Sequence, residues 1–164
     1  MRNMLIAFLV LSSQLLFGQS EKIERAGEPA IYEVASDDPE LNEAVNKSRS
    51  TFNDFIKAFQ NKESSQSGFS VKMPFATEYG FEHIWLTNLE LKQGDLFGIV
   101  DNLPQSVTTV RLGDVVKIDA SKITDWFYIE NGKLVGGLTI RVLRDRMSAA
   151  EKKRFDRTFG IKLE

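Results

Sequence analysis

The chain has 164 residues, with 21 basic and 23 acidic side chains, a formal charge of −2 and no cysteine. Such a balance excludes the dominant basic surface that nonspecific nucleic-acid binding requires, and it leaves an unknown protein, a cell-envelope component or a small molecule as partner. The lack of cysteine excludes disulfides, so the core must hold by packing alone, and the 12 phenylalanines supply large side chains for it.

Met1, Arg2 and Asn3 form a short positive segment, Met4 to Phe17 (MLIAFLVLSSQLLF) a short apolar run, and Gly18 and Ser20 follow as small residues. This is the pattern of a secretory signal peptide over residues 1–19, with cleavage expected between Gln19 and Glu21. A retained N-terminal anchor is the competing reading, although the run is short for a membrane span. No cysteine follows it, which excludes lipoprotein processing. The expectation is an exported protein, periplasmic or secreted, with no stable membrane span after cleavage. Loss of Arg2 leaves 20 basic against 23 acidic residues. Residues 20–36 are polar and aperiodic and read as a flexible linker to a single domain over 37–164.

Asp38-Pro39-Glu40 places a capping carboxylate, a proline and an acid where a helix start favours them. Leu41, Ala44, Val45, Ser48, Phe52, Phe55, Ile56 and Phe59 recur at helical spacing, which predicts one helix ending near Asn61. Phe69, Val71, Met73 and Phe75 alternate with Ser70, Lys72 and Pro74, which predicts a half-buried strand with Pro74 at an edge position or a strand end. Glu82 to Lys92 is apolar on both faces at its centre and reads as a central strand. Gln93-Gly94-Asp95 turns into a strand over Leu96–Val100, a loop runs from Asn102 to Gly113, and Val115–Ile118 forms another strand.

Thr124 to Asp145 (TDWFYIENGKLVGGLTIRVLRD) reads as one long hairpin. Asn131-Gly132 favours a two-residue type I′ turn. Closing there places Glu130 opposite Lys133, Ile129 opposite Leu134, Tyr128 opposite Val135, and Phe127 and Trp126 opposite Gly136 and Gly137, so that aromatic rings cover the bare glycine backbone. The glycines equally fit a bulge or a close ligand approach. Ser148 and Glu151 form a capping box for a last helix that Gly160 closes. The sum is an α+β domain: an N-terminal helix packed on a twisted antiparallel sheet of about five or six strands in meander order, and a short C-terminal helix. A small open barrel is the alternative.

The segments DPELNEAV, FSVK, EHIWL, GDVVKI and ITDWFYIENGKLVGGLTIRVLRDRMS resemble the bacterial family known as domain of unknown function 2314, the YegJ-like proteins. The resemblance runs from about Asp37 to the C-terminus. It implies that such proteins are often exported, and it carries no catalytic residue, cofactor or partner with it.

His83 is the only histidine, the residue type best suited to proton transfer near neutral pH. Asp125 precedes Trp126 in a predicted strand and is either a strand-start acid bonded to backbone or part of a polar pocket with His83. A His83–Asp125 pair is the one acid/base constellation the sequence permits. No cofactor or metal site is expected, because neither a second histidine nor a cysteine accompanies His83 and Glu82 points to the opposite strand face. Trp85, Trp126, Gly136, Gly137, Arg141 and Arg144 are candidates for ligand or partner binding. The last two belong to a C-terminal concentration of basic residues that reads either as an acidic-partner surface or as a solvated helix face. The favoured function is a non-catalytic binding or interaction module in the cell envelope; the alternative is a small hydrolase-like or ligand-processing domain using His83 with Asp125.

Overall fold

A computed structural model describes residues 38–160, together with 21–23 and 31–33. The expected signal peptide lies outside the described residues, as does most of the expected linker. Within that linker, β1 (Glu21–Ile23) and β2 (Ile31–Glu33) pair antiparallel as a two-stranded sheet and belong to a separate unit.

The main unit begins with α1 (Pro39–Ser50) and α2 (Phe52–Gln60). One continuous helix was expected here, and it is interrupted at Thr51. The Thr51 hydroxyl donates to the Lys47 carbonyl at 2.8 Å, and the residue sits at φ −104°, ψ 4°. A threonine bonding back onto the previous turn competes with the helical ladder and bends it.

Six strands follow in a single sheet: β3 (Gln66–Ala76), β4 (Phe81–Lys92), β5 (Asp95–Val100), β6 (Val115–Lys117), β7 (Asp125–Glu130) and β8 (Lys133–Gly136). Their spatial order is β6-β5-β4-β3-β7-β8, every neighbouring pair is antiparallel, and the sheet is open. The expected α+β class holds and the barrel alternative does not. The meander is incomplete: β7 crosses from the β6 edge to pair with β3 on the far side. Pro74 lies inside β3, still paired with His83 of β4, but β7 pairing stops at Lys72, so it occupies a locally open edge position where its missing N–H interrupts no β7 ladder.

The predicted register of the hairpin is correct from Glu130↔Lys133 to Phe127↔Gly136, with Asn131 and Gly132 both at positive φ. Its second arm ends there. Gly136 and Gly137 take φ +78° and +62°, and residues Leu138–Asp145 form α3 where a strand was expected. A Cβ on Gly136 would lie 2.4 Å from the Trp126 carbonyl oxygen and 2.6 Å from its ring. Trp126 thus covers Gly136, and no side chain larger than hydrogen fits at that corner. The last helix, α4 (Ala149–Phe159), carries the expected capping box at Ser148 and Glu151 and ends at Gly160 in the left-handed region.

One face of the sheet makes the core. Phe69, Val71 and Met73 of β3 join Ile84 and Leu86 of β4, Leu96 and Val100 of β5, and Trp126 of β7. Helix α2 closes it with Phe52 and Phe55; the Phe55 ring lies 5.3 Å from Trp126 and 5.6 Å from Phe69. Because strand side chains alternate, Lys72 and Pro74, His83 and Trp85, and Phe127 project to the other face.

Candidate functional site

Asp125 opens β7 and is fully buried. Its carboxylate accepts from five donors. Oδ1 takes the Ser48 hydroxyl of α1 at 3.0 Å, the Trp126 amide at 2.8 Å and the Leu138 amide at 3.1 Å, and Oδ2 takes the amide and hydroxyl of Thr139 at 2.9 and 2.6 Å. Helix α3 has Gly137 at its N-cap with no side chain of its own to cap it. Asp125 does that from twelve residues upstream, and its negative charge suits the positive end of the α3 dipole. Asp125 is therefore a strand-start acid bonded to backbone, the first of the two readings the sequence allowed.

His83 is not held by Asp125. Its Nδ1 lies 2.9 Å from the Thr124 hydroxyl, and Thr124 in turn donates its amide to the Lys72 carbonyl at 2.8 Å. The residue keeps a solvent-exposed edge. The imidazole is nonetheless pushed down to about 4, first by desolvation and then by the Lys72 and Arg49 cations. With an edge in water, desolvation acts less fully than in a closed site, and the two cations push in the same direction. His83 is thus neutral at pH 7.

Lys72 sits at the centre of this face. Its ammonium lies 5.5 Å above the Trp85 ring, and Trp85 meets Phe127 edge-on at 4.9 Å. The residue is only part-buried by surface area. Burial lowers the lysine below its ordinary range, and the Asp125 charge across the ladder opposes that shift. The charged end reaches the aromatic surface, as expected of a long amphipathic side chain. The Arg49 guanidinium is close enough to act on His83, and its Nε donates to the Ile123 carbonyl at 2.8 Å. Phe81, two residues before His83 on the same strand face, is 70 % exposed.

The other candidates are dispersed. Trp126 is a core residue whose Nε1 donates to the Ser48 carbonyl at 2.9 Å. Gly136 and Gly137 form the strand-to-helix corner, and Arg141 spans it, donating to the carbonyls of Gly136 at 3.0 Å and Leu134 at 2.7 Å. Arg144 makes a two-pronged pair with Asp156, both contacts 2.7 Å, which raises the guanidinium and holds the Asp156 carboxyl below its ordinary value. Arg146 pairs with Glu40 at 2.7 Å. Of the sequence candidates, the structure brings His83 and Trp85 together and adds Lys72, Thr124 and Phe127, with Phe81 farther along the same strand face. Lys72 was legible only as the polar member of an alternating strand. Its signal was a lysine flanked by Val71 and Met73, and nothing local showed which ring it would meet.

Among the described residues no group of three or more His, Asp or Glu side chains is placed to hold a metal ion, and no helix is long and apolar enough to cross a membrane.

Residues 38–163 match the family described as "Uncharacterized protein conserved in bacteria (DUF2314)". The chain belongs to this family. It is similar to the Escherichia coli K12 protein named "Uncharacterized protein YegJ", with 33% identity over 100 residues that cover 61% of this chain and 64% of that one. It is also 31% identical over 143 residues to a Neisseria meningitidis serogroup B protein named "Putative ankyrin repeat protein", covering 82% of this chain and 56% of the relative. The chain thus spans less than two thirds of the length of either relative. No solved structure matches it.

Proposed function

We propose that this member of an uncharacterised bacterial family is an exported, non-catalytic binding module that engages a protein or envelope component through the sheet face bearing Phe81, His83 and Trp85. One observation carries the reading: α2 covers the core face of the sheet, while the opposite face presents aromatic rings beside a lysine and an accessible imidazole. Exposed aromatic side chains grouped with a cation are the composition of interface hot spots. The catalytic alternative needs Asp125 to orient His83, and the five donors on Asp125 already occupy its oxygens. The basic C-terminal region contributes less than its composition suggests, since Arg144 and Arg146 spend their charge on Asp156 and Glu40.

The test places a photo-crosslinking residue at Phe81 or, as a control, at the exposed Glu63 before β3, in the full chain expressed with its own N-terminus in a bacterial host. The reading expects adducts from Phe81 and none from Glu63, in the exported fraction. Equal labelling at both positions, or a chain retained in the cytoplasm, overturns it.

A further inference from the structure

The Lys72 ammonium has no hydrogen-bond or ion-pair partner among the described residues and rests over the Trp85 ring. The residue directly across the ladder is Asp125, whose oxygens are bonded to Ser48, Trp126, Leu138 and Thr139 and not to Lys72. A part-buried ammonium without a bonded counter-charge is costly, and an anion arriving beside it recovers that cost. Beside it, His83 has Nδ1 on the Thr124 hydroxyl at 2.9 Å. That hydroxyl has one proton to give, and its other acceptor, the Lys72 carbonyl, is 3.4 Å away and already receives the Thr124 amide at 2.8 Å. Donation to Nδ1 is the better use of the proton, and it leaves Nε2–H as an outward donor. Trp85 and Phe127 supply apolar, flat surface next to the ammonium.

We infer that Lys72 and His83 form an anion subsite that takes a carboxylate carried on a flat apolar group, the carboxylate meeting the ammonium and Nε2–H and the apolar body lying against the Trp85 and Phe127 rings. The inference deepens the binding-module reading and rests on it for the identity of the face. Charge complementarity selects the anion and the surrounding rings select its body. A highly hydrated multivalent anion such as phosphate gains nothing from those rings.

Benzoate is titrated into the full chain, with benzamide as its uncharged counterpart and inorganic phosphate as the hydrated anion, and the His83 ring and Lys72 side-chain NMR signals are followed. Benzoate should shift both signals saturably and raise the His83 pKa, benzamide should bind at least tenfold more weakly, and phosphate should leave the Trp85 and Phe127 ring signals in place. Lys72→Met keeps the stem, removes the charge, and should lower benzoate affinity at least tenfold while the melting temperature stays level or rises. Three results overturn the inference: benzoate and benzamide binding alike, phosphate competing as strongly as benzoate, or Lys72→Met binding benzoate normally. A clear loss of melting temperature in Lys72→Met also overturns it, because Lys72 would then serve Asp125 as a structural counter-ion. Crosslinking at Phe81 is read separately, so a failed anion site and a failed binding face give different results.

Discussion

Asp125 and Lys72 face each other across the β3–β7 ladder, and their surroundings could hardly differ more. The carboxylate is sealed in and satisfied by five donors drawn from α1, β7 and α3. The ammonium rests on an aromatic ring at a partly open surface. A saturated buried polar group is a structural joint, since every bond it makes fixes one element against another. An unsaturated charge at a surface ringed with aromatics stores interaction free energy for something else.

The sharpest way to break this contrast is Asp125→Ala. It strands the Ser48 and Thr139 hydroxyls and the amides at the start of α3, and with each unmet donor costing about 1–3 kcal/mol the total should reach at least about 4 kcal/mol. Urea unfolding measures it, and a loss below that of an average surface substitution would mean that the joint is not structural. The two tryptophans extend the comparison to the two sheet faces. Trp126→Ala removes a core ring packed on Phe55 together with its bond to Ser48 and should cost about 3–5 kcal/mol, whereas Trp85→Ala on the open face should cost about 1 kcal/mol. Similar losses for both would show that the second face is covered as fully as the first.

Two glycines give the next contrast. Gly136→Ala forces a Cβ against the Trp126 carbonyl at positive φ, and about 3 kcal/mol is expected. At Gly132 nothing lies within 4 Å of an added Cβ, so Gly132→Ala should cost only the backbone strain, about 1 kcal/mol. Thermal melts of the pair check whether the corner is tighter than the turn.

The smallest effect belongs to His83. Its pKa is lowered from 6.5 to about 4 in the folded chain, so the unfolded chain binds the proton more readily. Above pH 6.5 neither state carries it and His83 contributes nothing to the pH dependence. As pH falls from 6.5 to about 4, stability is lost. The exposed edge of the ring keeps this loss small. His83→Gln should flatten the stability profile in that window, and an unchanged slope would assign the acid sensitivity to other groups.

Much of this molecule was determined by local sequence. Asn131-Gly132 set the hairpin turn and its first four pairs, because few backbones other than type I′ suit two positive φ values there. Strict alternation marked β3, and Ser148 with Glu151 marked the start of α4. The family was legible as well, through EHIWL and the residues around that hairpin. Only the tertiary structure decided the rest. Leu138–Asp145 reads as a strand from its alternation of Leu, Ile and Val, yet it is a helix because Gly136 and Gly137 turn the chain and Asp125, thirteen and fourteen residues away from Leu138 and Thr139, caps the new N-terminus. Placing β7 beside β3 then gave Lys72 its facing acid, set Thr124 against His83, and aligned Phe127 with Trp85. Those contacts join residues tens of positions apart. Periodicity and propensity act over a few residues, so they specify which elements form, whereas the packing of the whole sheet specifies which side chains share a face.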